Sequence, residues 1–391
     1  MMDVLFILAI LIMCWNAVGL IDRWFSLKKH GFTVAPGYIM WKTERGLSFI
    51  DRIACFSKRG WIAYGDLAAI CGFVMMGFIF VMLILNFILM LTTPLRTPGV
   101  MLVYPGLIPW LPIVPWLVAV GFLLVVHEFS HGILLRAQDL RTKSIGGMVI
   151  FVLFGAFVEP DEKQLENSAP SKRMRVYAAG SMANILLAFI SLALILVLLT
   201  PKPGVYVWAS STEYADIFPP GARIYSVNGI QINSIDNFSS AFKGLMPGDN
   251  VSLIVEEREL TLTLEHVPDN ENRIYLPVAI MSAPPSSNFL NPLYAAGAAM
   301  AELTGSPVFH QYIYNSAVPW LLIDILKWIF ILNLGVGLFN MLPAVPLDGG
   351  YMLRALLEKR ASKSAAKKAV RLISFVVLIL IVLNFVPSFL R

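Results

Sequence analysis

The chain has 391 residues, 57% of them apolar and 14% charged, with a formal net charge of +5. Soluble domains are nearer about a quarter charged, so this composition excludes a single water-facing core and makes lipid the natural solvent. Cys14, Cys55 and Cys71 are isolated and form no CxxC pair, so they suggest neither a disulfide framework nor a thiolate metal site.

Six apolar runs approach the roughly 20 residues that cross a bilayer. In chain order they cover 4–21, 67–91, 111–135, 174–199, 321–342 and 370–387. The first has no basic residues before it and no clear small-residue cleavage site, so it reads as a retained helix. The fifth carries Asp324 and Lys327 near its start, which leaves open a later beginning after an amphipathic surface helix. Basic residues alternate between the connections. They are dense after the first run (Lys28, Lys29, Lys42, Arg45, Arg59), between the third and fourth (Arg136, Arg141, Lys143, Lys172, Arg173), and between the fifth and sixth (Arg354, Lys359, Arg360, Lys363, Lys367). Six spans put these three connections on one side, and their positive charge makes that side cytosolic, with both termini outside.

Residues 92–110 hold many prolines and are expected to form an irregular outer loop. Residues 203–283 are more polar and alternate like strands. Runs 251–255 and 260–264 flank a charged turn and read as a hairpin, and Asn228–Gly229 is a turn dipeptide. About 80 residues suffice for one small domain, which the topology places outside the membrane. The chain therefore divides into four parts. Residues 1–110 hold the N-terminal helices, a basic cytosolic segment and the outer loop. Residues 111–202 and 284–391 form the two parts of a membrane core, and 203–283 form the outer domain between them.

The chemistry centres on His127-Glu128-Phe129-Ser130-His131, an HExxH. On a helix, positions i and i+4 share a face, so two imidazoles converge on one ion and Glu128 can take a proton from water activated there. Ionisable residues near the end of an apolar span are costly, and function is their default explanation. A catalytic zinc takes three protein ligands. The third must come from elsewhere, and Glu159, Asp161, Glu162, Asp324 and Asp348 are candidates. Asp348 is best placed. Pro343, Pro346, Gly349 and Gly350 surround it and permit irregular backbone at membrane depth, tolerated where protein buries it or it lines a cavity. The third and fifth spans both run inward, so both motifs reach the cytosolic third of the membrane.

These motifs resemble those of the site-2 proteases, polytopic intramembrane zinc proteases. The HExxH and the Asn340–Gly350 stretch match the family's two signatures, and Gly180-Ser181-Met182-Ala183-Asn184 matches its GxxxN. Gly155-Ala156-Phe157-Val158 resembles the segment after the catalytic helix in members with an inserted PDZ-like domain. Residues 220–229 resemble that domain's Gly-Asp-x-Ile-x-x-Val-Asn-Gly signature, with Ala222 in place of the usual Asp. The likeness covers roughly 111–358.

The resemblance implies a fold and a set of roles. The fold is a polytopic α-helical membrane protein of about six transmembrane helices with a small mixed α/β PDZ-like extracytoplasmic domain. His127, His131 and Asp348 would ligate one Zn2+ per chain, and Glu128 would be the general base. Asn184 would polarise the scissile carbonyl or hold the oxyanion, with helix–helix hydrogen bonding as its plainer alternative. Gly180 would permit close helix packing. The run 148–158 would be a strand that pairs with an unwound substrate, with Gly155, Ala156 and Phe157 as substrate-binding residues; a packed re-entrant hairpin is the alternative. The expected partners are the lipid bilayer and single-span membrane proteins already trimmed on the outside, with no nucleic acid. The expected location is a prokaryotic cell membrane, with the site near the cytosolic side. A zinc transporter and an inactive scaffold are the rival readings. The first lacks polar residues strung through several helices, and the second is at odds with an intact Glu128.

Overall fold

The computed structural model describes residues 2–92, 100–256, 258–267, 270–276, 278–306 and 308–385. The far end of the sixth expected span and much of the proline-rich loop lie outside the described residues. The chain forms two compact units, one running through Ile190 and resuming at Trp328, the other covering Ser191–Lys327.

The first unit begins with helix α1 (Met2–Phe25), then strands β1 (Phe32–Ala35) and β2 (Tyr38–Thr43) and helices α2 (Leu47–Phe56), α3 (Lys58–Thr92) and α4 (Ile113–Ala137). Strands β3 (Thr142–Ile150) and β4 (Leu153–Pro160), helix α5 (Glu162–Asn167) and helix α6 (Pro170–Leu198) follow, the last leading into the second unit. The second unit holds β5 (Leu199–Pro201), β6 (Val205–Ser210), β7 (Arg223–Val227), β8 (Ile230–Gln231), α7 (Ile235–Ala241), β9 (Asn250–Val255), β10 (Arg258–Thr263), β11 (Glu265–Val267), β12 (Asn270–Tyr275), β13 (Val278–Met281), α8 (Pro292–Leu303) and β14 (Tyr314–Ser316). Helix α9 (Trp320–Phe339) leads back, and α10 (Asp348–Leu357) and α11 (Lys363–Phe385) close the described chain.

Among the described residues, α3, α4, α6, α9 and α11 are long and apolar enough to cross a membrane. The first expected span is helical as α1. Helices α3, α6 and α11 begin four or more residues before the expected spans, and α9 begins where the fifth was expected. Helix α3 starts nine residues before Leu67, because the more polar stretch 58–66 is helical as well; Asp66 at its end pairs with Arg175 of α6 at 2.7 Å. Helix α9 is continuous from Trp320, with no separate surface helix. Lys327 is held by Asp324 at 3.1 Å and by Glu302 at 3.4 Å, so its charge is paired and does not end the helix.

A four-stranded antiparallel sheet in the order β1-β2-β3-β4 packs beside α4. The run 148–158 is therefore not one strand. It turns at Phe151, whose φ is +53°, and Val152, so that Met148 faces Gly155 and Gly147 faces Ala156 across a hairpin. The basic segment after α1 adds a second hairpin, with Trp41 opposite Gly147. Nine residues of β3 at ~3.3 Å each span about 30 Å, the thickness of a hydrocarbon core. The hairpin tip, with Phe151, Leu153 and Phe154 exposed, meets Tyr104, which precedes α4, and Trp116 in the first turn of α4. Its open end is flanked by Lys42, Ser144 and Glu159.

Packing fixes the helices around the sheet. Ile50 and Ala54 of α2 bury against Leu134, Leu135, Val158 and Val176. Met76 of α3 buries with Met174 and Met182 of α6 and with Met341 and Met352. Gly337 of α9 lets that helix approach Ser181 and Ile185 of α6. A buried pair, Arg173 with Glu358 at 2.6 Å, joins the start of α6 to the end of α10.

In the second unit an antiparallel sheet runs β10-β9-β7-β6-β13, with β8 on β7. Val207, Ile224, Val251 and Leu253 bury its inner face with Phe218 and Phe238. Strands β9 and β10 form a hairpin. Asn228 (φ +47°) and Gly229 (φ +77°) make the tight turn into β8, where two positive φ values match the twist of the flanking strands.

Candidate metal centre

The site is built where three helices meet. On α4, His127 and His131 sit one turn apart with their rings edge to face, and their Nε2 atoms are 3.1 Å apart. Asp348 opens α10. The chain before it, Asn340 to Leu347, folds back over the first turn of α10 and includes a cis Val345–Pro346 bond. Gly349 donates to the Asn340 carbonyl at 2.8 Å. A Cβ on Gly349 would fall on the Met341 carbonyl, and one on Gly350 would fall on the Ala344 backbone. The double glycine is what allows the fold-back that sets Asp348 in place.

Asp348 Oδ2 lies 3.2 Å from His127 Nε2 and 3.3 Å from His131 Nε2. These three residues form a group able to hold a metal ion. Three donors at zinc bond lengths of ~2.0–2.2 Å in a tetrahedron stand about 3.3 Å apart, which is the spacing found. The chemistry fits as well. His131 Nδ1 donates to the Val176 carbonyl at 2.7 Å, which in the neutral ring leaves the lone pair on Nε2. Asp348 Oδ2 is buried without a hydrogen-bond partner. Lone pairs packed this closely in a buried place repel one another unless a cation stands among them.

Helix α6 supplies the third wall, with Val176, Gly180 and Asn184 along one face at intervals of four residues. Val176 holds His131. Asn184, fully buried, sets its side-chain amide 3.2 Å from His127 Nδ1, the ring nitrogen turned away from Asp348. Between them Gly180 lies bare against both rings. A Cβ there would be 2.5 Å from His131 Nε2 and 2.7 Å from His127 Cε1. Glu128 points to the sheet, and its Oε2 accepts the Val158 N–H of β4 at 2.9 Å.

The other carboxylates considered as third ligand are engaged elsewhere. Glu159 binds Ser144 at 2.6 Å and Lys42 at 3.0 Å, and those two donors hold its carboxyl below the usual range. Asp161 caps α5 by accepting the Gln164 N–H. Glu162 lies in the first turn of that helix. Asp324 pairs with Lys327.

Gly155, Ala156 and Phe157 lie on β4, whose outer edge has no strand beside it among the described residues. Alternation along the strand assigns its main-chain groups. Val158 turns its N–H outward to Glu128, so Ala156 and Phe154 also face outward, while Gly155 and Phe157 bond to β3. Two contributions had no signal in the sequence, the Val176 carbonyl and the Val158 N–H, because any residue type supplies them. The GxxxN spacing was the one available pointer to the α6 face.

A family model described as peptidase family M50 matches residues 115–384. An uncharacterized protein of Methanocaldococcus jannaschii is 25% identical over 374 residues, covering 92% of this chain and 88% of that protein. A protein named "Putative zinc metalloprotease Rip3" in Mycobacterium tuberculosis is 38% identical over 75 residues, 18% of this chain and 19% of that protein.

Proposed function

This chain belongs to peptidase family M50, the site-2 protease family, and from that premise we propose that it is an intramembrane endopeptidase that cuts membrane-spanning proteins. The observation that carries the reading is the convergence of His127, His131 and Asp348 beside Glu128. His127, His131 and Asp348 would hold one zinc per chain, which would supply Lewis acidity for a bound water and for the scissile carbonyl. Glu128 takes the proton of the attacking water as the new C–O bond forms. It returns that proton to the nitrogen as the C–N bond breaks. A substrate helix has its amides bonded internally and must unwind first. The outward groups of Phe154 and Ala156 accept the freed segment as an added strand. Its register ends at Val158, beside Glu128. Gly155 and Phe157 shape the surface on which that strand lies. Asn184 is the candidate for assisting at the carbonyl.

Alternation of the basic connections supports six spans, with both termini and the domain at 203–283 outside and the site near the cytosolic side; the membrane itself is proposed to be a prokaryotic cell membrane. An antiparallel sheet with one short helix supports the PDZ-like reading of that domain. It acts on substrates by selection, which suits regulated intramembrane proteolysis of proteins already trimmed outside. Zinc transport gains nothing from a peptidase family match, and an inactive scaffold has no use for Glu128. The test is co-expression with a panel of single-span proteins, comparing the wild type with Glu128→Gln by product mass. Products that appear with the wild type alone support the reading; identical products from both overturn it.

A further inference from the structure

We infer that Asn184 is a positioning residue whose side-chain carbonyl accepts the Nδ1–H of His127 and thereby aims the Nε2 lone pair of His127 at the metal position. The inference rests on the zinc-site reading above. It starts from the difference between the two ring nitrogens. His127 Nε2 faces Asp348 and His131, at 3.2 and 3.1 Å. An imidazole that ligates through Nε2 is neutral and carries its proton on Nδ1, and that proton needs an acceptor. The group standing at His127 Nδ1 is the Asn184 amide. Its nitrogen faces the ring at 3.2 Å, while Oδ1 is buried with no hydrogen-bond partner. That would set a donor against a donor. Amide nitrogen and oxygen are nearly the same size, so a half-turn about the last side-chain bond puts Oδ1 on the Nδ1–H with no other movement.

The partner histidine shows the same arrangement. His131 gives its Nδ1–H to the Val176 carbonyl at 2.7 Å. Helices α4 and α6 pass so that residue 131 meets 176 and residue 127 meets 184, with Gly180 bare between the rings. One face of α6 thus holds both ligands, one by a main-chain oxygen and one by a side-chain oxygen. This separates the role from oxyanion binding, which uses the amide as donor. The half-turn leaves the two Nδ2 hydrogens on the far side of the amide, so the two roles draw on different atoms and can be tested apart.

The experiment measures zinc affinity of the purified full chain in detergent by competition with a chelator, for the wild type, Asn184→Ala, Asn184→Leu and Asn184→Asp. Loss of such an outer hydrogen bond typically costs about 10–100-fold in metal affinity, and Ala and Leu should show that loss. Asp keeps the acceptor and removes the amide donors, so its affinity should stay within about threefold of the wild type or exceed it. The visible spectrum of the Co2+-substituted protein gives a second readout: it should change for Ala and Leu and be restored by Asp. Equal zinc affinity across all four proteins overturns the positioning role while leaving the metal site intact. Affinity lost equally in Ala, Leu and Asp also overturns it, because then the donor or the packing matters and the acceptor does not. A wild type that holds no zinc would overturn the zinc-site reading itself.

Discussion

Gly180→Ala adds one methyl group at the point where α6 touches both imidazoles. The new carbon would lie 2.5 Å from His131 Nε2, 2.7 Å from His127 Cε1 and 2.8 Å from His127 Nδ1. Optimal carbon contacts lie at ~3.5–4.0 Å, so the methyl group stands about 1 Å too close to two rings at once. Neither ring can swing away freely, because Val176 and Asn184 hold their far nitrogens. Relief must come from moving ligands or helices apart by roughly that amount. Metal–ligand distances tolerate about 0.2 Å, so the displacement exceeds the tolerance several-fold. Overpacking of this kind costs about 1–3 kcal/mol of stability, which lowers but does not abolish folding. The expected result is a folded protein with little bound zinc, read by elemental analysis beside a thermal unfolding curve. Gly121→Ala is the matched control on α4, where an added Cβ meets nothing within 4 Å. It should keep full zinc and unfold at or slightly above the wild-type temperature, since alanine favours helix over glycine by about 1 kcal/mol. A Gly180→Ala protein with wild-type zinc affinity would refute the claim that α6 is set directly on the ligands.

Asp348→Asn keeps the shape and removes the charge, so zinc occupancy should collapse, whereas Glu159→Gln should leave it unchanged; elemental analysis of both proteins checks the assignment of the third ligand. Ala156→Pro should abolish cleavage while sparing zinc, because it removes an outward N–H from an edge strand, where proline is tolerated. Phe157→Pro should instead disrupt the β3–β4 ladder, seen as faster amide exchange in Ile145–Met148. Ser144 and Lys42 lower the Glu159 carboxyl in the folded state, so their stabilisation is full above its unfolded value of about 4.3 and is lost as pH falls through the folded value. Side chains exposed by 41% and 35% are well screened, so the effect should stay under about 1 kcal/mol. Protection factors, which remove the intrinsic slowing of amide exchange in acid, should fall at the open end of the β3–β4 hairpin as pH drops below about 4.3 in the wild type, and a Glu159→Gln protein that shows the same fall would remove Glu159 as its source.

What was legible in the sequence follows how local each signal is. His127 and His131 could be paired because a helix brings i and i+4 together, and Asp348 stood out through the prolines and glycines that break a helix around it. The antiparallel hairpin of β9 and β10 declared itself by alternation on either side of a short turn. The four-stranded sheet did not. Strand β2 pairs with β3 across a separation of about 100 residues, and neither strand carries a clean alternation because the burial along both is intermediate. The apolar run 148–158 looked like one strand because its turn residue, Phe151, is apolar and sits at positive φ, where glycine or asparagine would have marked it. The charges on α9 suggested a break for the opposite reason: sequence shows Lys327 but not that Glu302 and Asp324 lie within reach of it.

The ligands come from distant parts of the chain, and this has a consequence for synthesis. His131 emerges from the ribosome on the order of 200 residues before Asp348, a delay of roughly 10–40 s at ~5–20 residues per second. During that time His127 and His131, the first two proposed ligands, and Glu128, the proposed general base, would already be in the bilayer among other newly made membrane segments. If His127, His131 and Asp348 hold the metal as proposed, two histidines alone would make a weak site, and the half-built protein would not attack its neighbours. On the proposed reading Asp348, the last of the three ligands to be made, works as a completion signal, and a chain cut short before α10 would be born without a complete site.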